Sequence, residues 1–395
     1  MTNTITLLVE KISLFAGANI MTTSNIQLTS TISEDNKLTL ALKNIEIPQP
    51  GADEVVIRLE AAPLNPSDLA VLFSAADMTT AQQSGTEQSP VITADVPAKF
   101  MPAVKTRVGK AIPVGNEGAG TVIAAGSSPA AQALMGKTVA VIGGGTYRQY
   151  ISANVQSCLA LKAGTTAKEG ASSFVNPLTA LAMVETMRAE GHKAIIHAAA
   201  ASNLGQMLNR ICIADGVDLI NIVRKAEQET LLRDMGAKYV VNSRSDTFLA
   251  DLTAAIIETG ATIAFDPIGG GKLTSDILNC MEVAASRDMK EHSVYGSDTF
   301  KQVYIYGALD RGPITLNRNF GFAWGVNGFL LFNALGKLGT KTVIAMRKRV
   351  ADEITTTFAS HYTHEVSLAE VLQLKSMAAY SKQATGEKYL ITAQR

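Results

Sequence analysis

The amino-acid sequence predicts an α/β protein, in which a mostly β domain leads into a doubly wound parallel sheet. Three observations predict it. Up to residue 167 the chain runs in short alternating stretches broken by glycine and proline, and from residue 168 short apolar runs alternate with stretches of helical period. The third is size: 395 residues, 47% hydrophobic and 18% charged, suit two cores rather than one.

Residues 1–24 read as an extension outside the main fold. Ile5–Ile20 is apolar but interrupted by Glu10 and Lys11, too short and too charged to span a membrane and a poor signal peptide. Residues 25–167 form the first domain. Leu38–Leu42 and Val55–Leu59 read as strands across the turn-forming Pro48-Gln49-Pro50-Gly51. Asn65-Pro66-Ser67-Asp68 then begins a loop or short helix. Asp77–Lys110 is polar, carries Pro90, Pro97 and Pro102, and shows no period. It reads as an irregular insertion, a lid or binding loop expected to overhang a substrate entrance. Val114–Ala125, Thr138–Ile142 and Arg148–Ala153 return to strands.

Residues 168–315 carry the parallel sheet. Lys193–Ala201 is an apolar run bounded by turn signals, as a buried parallel strand should be. Leu204, Met207, Leu208, Ile211 and Cys212 follow at helical spacing. Strands at Val217–Val223, Tyr239–Asn242, Thr262–Asp266 and Gln302–Leu309 then alternate with helices at Ala226–Met235, Thr247–Glu258 and Leu273–Ala285. Such a sheet binds ligands at the carboxyl ends of its strands. Residues 316–395 form a return segment, with helices near Phe322–Leu338, Lys341–Ala359 and Leu368–Ser381 and a last strand at Lys388–Thr392.

Lys plus Arg (35) balances Asp plus Glu (35), so no net charge recommends nucleic acid or an anionic membrane as partner. Cys158, Cys212 and Cys280 are widely separated, with neither a disulfide framework nor metal-site spacing. A reducing, cytoplasmic setting is expected.

The turn Ala200-Ala201-Ser202-Asn203-Leu204-Gly205 joins the first parallel strand to its helix. A dinucleotide site needs a tight turn there, close backbone approach and a helix N-terminus aimed at the pyrophosphate. Against G-x-G-x-x-G only Gly205 survives, but small residues still permit close approach, and the Ser202 hydroxyl or Asn203 amide could reach phosphate. The plain alternative is a packing turn of small residues. The second strand ends in Ile222-Val223-Arg224-Lys225, without the Asp or Glu that binds ribose hydroxyls in NAD-preferring sites. Arg224 can take a 2′-phosphate bidentately and Lys225 adds charge, which points to NADP(H); a solvated helix start is the alternative. Asn242, ending the third strand, is placed beside the same nucleotide.

Asn65-Pro66-Ser67-Asp68, Val114-Gly115-Asn116-Glu117-Gly118-Ala119-Gly120, Asn176-Pro177-Leu178-Thr179-Ala180, the Ala200–Gly205 turn, Asp266-Pro267-Ile268-Gly269-Gly270 and Tyr306-Gly307-Ala308-Leu309 occur in this order. In them the chain resembles the medium-chain dehydrogenase/reductase superfamily, in its zinc-free quinone-oxidoreductase and enoyl-reductase branch. The resemblance implies a GroES-like catalytic domain, a Rossmann domain and a segment returning to the first domain. It implies Asn65 near the nicotinamide ribose and substrate, with a cap for the segment after Pro66 as the equal alternative, Asn176 and Thr179 near the nicotinamide, Asp266 and Gly269 along the groove, and Tyr306, Gly307 and Ala308 at the carboxamide. Glu117 is expected in a structural charge pair. Asn65 and Asn116 stand where zinc-containing relatives carry Cys and His; neither amide is a good zinc ligand, and no metal is expected. His361 and His364 read as a surface pair.

The activity implied is NADPH-dependent reduction of an activated C=C bond or quinone, a small-molecule acceptor, by a homo-oligomer (dimer or tetramer). Some enoyl reductases of the branch donate a proton from a Tyr following the Asn-Pro-Ser-Asp segment, yet Leu69–Ala81 contains none. Tyr147 is the candidate replacement, against a bland reading as a packed aromatic. Phe322, Trp324 and Phe329 are candidates for the cleft's apolar side, a core or a subunit interface. Two other readings stay open: an NADP-binding protein with little turnover, and an enoyl-thioester reductase.

Overall fold

The computed structural model describes residues 24–287, 289–383 and 386–395; the expected extension lies, except for Ser24, outside the described residues. Strands β1 (Ser24–Ile32) and β2 (Lys37–Glu46) form a hairpin whose turn places Asn36 at φ +61°, a conformation Asn tolerates. Leu28, Ile32, Leu38 and Leu40 point inward and are fully buried, the period-two pattern of a half-buried strand. The sheet runs β4-β5-β2-β1-β6, with β4 at Asp77–Gly85, β5 at Pro90–Asp95 and β6 at Ile112–Pro113.

The irregular insertion expected over Asp77–Lys110 is therefore a correction: half of it is a β-hairpin built into this sheet. Strand β5 pairs with β2 from Lys37↔Asp95 to Ala41↔Val91. Its inward residues are Pro90, Ile92 and Ala94. Proline at the strand start and alanine in the core conceal an alternation that valine or isoleucine would have displayed. Gln83 of β4 accepts from the Leu374 N–H at 3.3 Å, so the hairpin also meets the C-terminal helix Leu374–Tyr380.

A second sheet runs β10-β8-β7-β3-β20-β19, with β9 also on β3. Its strands are β3 (Glu54–Pro63), β7 (Glu117–Ala125), β8 (Thr138–Ile142), β9 (Tyr150–Asn154), β10 (Cys158–Ala160), β19 (His364–Val366) and β20 (Tyr389–Ile391). The return segment thus completes a sheet begun over 300 residues earlier in the chain.

The third sheet is parallel throughout, with six strands in the order β13-β12-β11-β14-β16-β18. They are β11 (Ile195–His197), β12 (Leu219–Val223), β13 (Tyr239–Asn242), β14 (Ile263–Asp266), β16 (Lys301–Ile305) and β18 (Trp324–Gly328). Counted along the chain this is 3-2-1-4-5-6, the doubly wound order that opens a crevice where strand order reverses. Strand β18 replaces a helix expected from Phe322, and it carries the sheet past residue 315. Gly325 and Gly328 disfavour helix, and Gly325 lies against the Gln302 side chain of β16. Trp324 packs edge-on against Phe320 at 5.1 Å, and Phe329 against Phe265 at 5.2 Å; Phe322 is 76% exposed.

Ile92 is fully buried between the β4–β5 hairpin and the first core. Ile92→Ala is expected to cost about 2–5 kcal/mol in denaturant unfolding. A loss below about 0.5 kcal/mol would mean that the hairpin is a detachable insertion after all.

Candidate functional site

At the end of β11 the chain turns through Ala199, a non-glycine residue at φ +49°. Ser202 then caps the helix Asn203–Asp215, its hydroxyl accepting from the Gly205 N–H at 3.2 Å. That leaves the N–H groups of Asn203 and Leu204 at the open end of the helix. Ala200 is fully buried, and a Cβ on Gly205 would lie 2.2 Å from its carbonyl oxygen. The one glycine retained from the dinucleotide pattern is therefore the one that packs helix against strand. The expected side-chain contacts to phosphate are revised: the Ser202 oxygen is used as a cap, and the Asn203 amide donates to Ser360 Oγ at 3.2 Å. What the turn offers an anion is backbone and helix dipole.

Beside this turn lies a cleft of about 520 Å³ lined by Arg224, Ser243, Arg244, Lys272 and the apolar Ile268 and Leu273. Arg224 immediately follows β12. Lys225 does not line the cleft; it is the exposed residue preceding the helix Ala226–Asp234. Two cations missed in the sequence take its place, Arg244 after β13 and Lys272 after β14. Their signal was position: both follow the carboxyl end of a sheet strand, where ligands bind. Asn242 shapes the loop, accepting from the Arg244 N–H at 3.0 Å. Three cations share this cleft with the carboxylates of Asp246 and Asp276, the latter 3.9 Å from Lys272 Nζ.

The loop after β14 packs against the end of β16. Gly269 stands at φ +82°, and a Cβ on Gly307 would meet the Pro267 carbonyl at 2.5 Å, so both positions require glycine. Asp266 was expected along the groove. It is buried instead, with Oδ1 accepting from Ile268 N–H at 2.7 Å and Oδ2 from Thr274 at 3.2 Å. Ala308 is exposed at the mouth, and Gly307 and Tyr306 are half-buried.

The other wall comes from the first domain. Asn65 precedes the helix Pro66–Leu72, and the Asp68 carboxylate reaches back to the Asn65 N–H at 2.8 Å. Asn65 is the N-cap of that helix, in a capping box with Asp68; it is buried, and its amide donates to Glu117 Oε1 at 2.8 Å and accepts from Asn176 at 3.4 Å. Glu117, fully buried, also accepts from the N–H groups of Phe174 and Val175 at 2.8 and 3.0 Å, at the start of the helix Val175–Ala189. Ser172 donates to it at 3.5 Å and accepts from Lys388 Nζ at 3.0 Å. Lys388 also donates to Ser360, which takes the Asn203 amide. One chain of polar contacts therefore links the dinucleotide turn to Asn65. Thr179 donates to the Val175 carbonyl within its helix.

Burial sets the ionisation of this cluster. It pushes the Asp68 carboxyl up to about 7, with the nearby Glu117 charge adding to the rise. It also raises Glu117 and brings Lys388 down to about 8, each partly offset by the attraction between them. Tyr147, the candidate proton donor, is a correction. It is fully buried in the first core, and its hydroxyl donates to the Pro63 carbonyl at 3.0 Å, where no substrate reaches it. Asn116 donates to Ser67 Oγ at 3.2 Å. His364 opens β19 with its ring stacked on Tyr389.

A carboxyl whose folded-state pKa is raised binds its proton more tightly in the native state. Its contribution is complete below the unfolded value of 3.8 and is lost as pH rises through about 7. The stability advantage of wild type over Asp68→Asn in urea unfolding should therefore shrink between about pH 4 and pH 7. An advantage that grows across that window would contradict the placement of Asp68 in a desolvated site.

No protein-family model matches the chain. The mitochondrial enoyl-acyl-carrier-protein reductase of Xenopus tropicalis is 27% identical over 287 residues, covering 70% of this chain and 68% of that protein. The chain spans 63–64% of the mouse, rat and cattle counterparts. A crystal structure of a candidate NADPH:quinone reductase from Mesorhizobium loti superposes at TM-score 0.70 with 25% identity, covering 95% of this chain and all of the other. A mutant form of the enoyl thioester reductase from Candida tropicalis shares the fold at TM-score 0.64 and 20% identity, over 94% of this chain and all of that one. With its motifs in order, a parallel sheet wound 3-2-1-4-5-6 and a return segment completing the first domain, the chain is similar to quinone reductases and enoyl reductases and shares their two-domain fold.

Proposed function

We propose that this protein is an NADPH-dependent reductase of activated C=C bonds or quinones that works without zinc. The observation that carries the reading is the crevice itself. The Ala200–Gly205 turn and the Arg224–Arg244–Lys272 cleft lie at the carboxyl ends of the sheet strands, and a chain of polar contacts through Ser360, Lys388, Ser172 and Glu117 ties the turn to Asn65. The Asn203 and Leu204 N–H groups would hold the pyrophosphate, and the three cations the 2′-phosphate. Bound NADPH supplies a hydride. The protein's part is to orient the reactants, to exclude water and to stabilise charge on the acceptor oxygen.

Asn65 and Asn116 each use their amide on a neighbouring side chain, an arrangement that suits substrate orientation rather than metal binding. A conjugated acceptor fits such a site, because hydride adds at the β-carbon and the charge spreads onto an oxygen that hydrogen bonds can meet. The names of the relatives include both enoyl reductases and quinone reductases. Loss of NADPH absorbance with a panel of enones, quinones and enoyl thioesters tests the reading, and tight NADPH binding with no acceptor consumed would replace it with a binding role. Arg224→Asp and Arg244→Asp should each weaken NADPH by about tenfold or more while leaving NADH within about twofold, since only the 2′-phosphate is lost. Equal effects on both cofactors would remove these residues from the phosphate site.

A homo-oligomer is also proposed. Strand β18 ends the parallel sheet with one edge unpaired among the described residues, and Tyr295 and Phe322 stand 69% and 76% exposed nearby. Light scattering should give a multiple of the 41.7 kDa chain mass, and Phe322→Asp should shift it toward one copy. A monomeric wild type would refute the proposal. Three buried free cysteines suit a reducing compartment; the cytoplasm is proposed, although the vertebrate relatives are named mitochondrial.

A further inference from the structure

With Tyr147 sealed in the first core, the donor expected from the sequence for the acceptor's oxygen is removed. The second domain supplies one. His197, the last residue of β11, and Tyr306, which follows β16, stack across β14 with ring centroids 5.9 Å apart and planes 17° apart. Tyr306 Oη lies 2.8 Å from His197 Nε2. His197 is fully buried, and its other nitrogen, Nδ1, has no partner among the described residues.

That orphan decides where the protons are. Burial holds the imidazole neutral, bringing its pKa down to about 3, so one ring nitrogen carries hydrogen and the other a lone pair. A buried N–H without an acceptor is rarer and costlier than an acceptor without a donor. The hydrogen therefore sits on Nε2 and is donated to Tyr306 Oη. The phenol's own hydrogen is left with no acceptor among the described residues, and burial, with Asp266 nearby, raises the Tyr306 pKa and keeps it protonated. Tyr306 is a donor whose oxygen is anchored and whose hydrogen is uncommitted.

Tyr306 stands at the carboxyl end of the parallel sheet. Tyr304 and Tyr306 lie two residues apart and share a face of the sheet, the face packed against the helix Val175–Ala189. Tyr304 Oη donates to Glu190, just past the end of that helix, at 2.6 Å. The helix start, with Asn176, Thr179 and the contact to Asn65, consequently lies further along, over the carboxyl ends of the strands where Tyr306 stands. Tyr304 is buried, whereas Tyr306 is partly open at the same end of the sheet as Gly307 and Ala308.

We propose that Tyr306, anchored by His197, donates a hydrogen bond to the carbonyl oxygen of the acceptor substrate, on which negative charge gathers during reduction. This rests on the reductase reading above. Tyr306 keeps its proton throughout and acts as an electrostatic donor. The proton that completes the product comes from solvent. His197 is a positioning residue. An enone depends on the donor more than a quinone does, because the aromatic hydroquinone anion is the more stable product.

Two measurements test this. In the unliganded wild type, nitrogen NMR of the His197 ring should show hydrogen on Nε2 and a bare Nδ1; hydrogen on Nδ1 would overturn the assignment, since Tyr306 would then donate to His197. In turnover, Tyr306→Phe keeps the ring stack and should retain a melting temperature near wild type. Its kcat with cyclohexenone should fall about a hundredfold, the scale of losing one oxyanion donor, with a smaller loss for a benzoquinone. A variant that keeps pace with wild type on cyclohexenone sinks this role alone. A wild type that binds NADPH yet consumes no acceptor sinks the reductase reading and this role with it.

Discussion

A single buried carboxylate, Glu117, holds the two halves of the crevice in register. It begins β7 in the first domain and takes hydrogen bonds from two backbone N–H groups at the start of the helix Val175–Ala189. It also takes the amide of Asn65 and the hydroxyl of Ser172. An unpaired carboxylate so deeply buried would cost several kcal/mol. Here it is stabilised by those donors, by a helix N-terminus and by Lys388 beyond Ser172. Lys388 immediately precedes the last strand, β20, which explains why the chain must return to its first domain before the site is complete. The carboxylate positions other groups and is enclosed by them, which suits a structural charge better than a catalytic base.

The cofactor wall shows a similar division between shape and chemistry. Ala200, Gly205, Gly269 and Gly307 let backbone approach backbone, while Ser202, Asn203 and Asp266 hold the loops in place. Few side chains in the turn are free to contact a ligand. What remains for a dinucleotide is exposed N–H groups at one end and cations at the other. The turn therefore works with alanine and serine where the usual pattern has glycine.

Much of this was legible in the sequence, for physical reasons. Buried parallel strands such as β11, β12 and β14 are continuous apolar runs, and their helices carry a clear apolar face. Arg224 was legible because the end of the second strand has one geometric role in this fold. The hairpin β4–β5 was not, since alternating Pro90, Ile92 and Ala94 look polar and irregular in a window full of glutamine and threonine. Strand β18 was hidden by aromatic density that imitates a helix. Arg244, Lys272 and Lys388 were missed because they sit in loops with no period, and only the three-dimensional meeting of strand ends brings them to the site. Tyr147 misled for the opposite reason: its neighbours in sequence line a cleft-side turn, but its own ring faces the core.

The account depends on one placement, that of a 2′-phosphorylated dinucleotide in the crevice of the parallel sheet. A crystal structure with NADPH tests it most directly. The account predicts pyrophosphate density over Asn203 and Leu204, the 2′-phosphate among Arg224, Arg244 and Lys272, and the nicotinamide between Asn65 and Tyr306. Density elsewhere, or a crevice that stays empty at saturating NADPH, would contradict it.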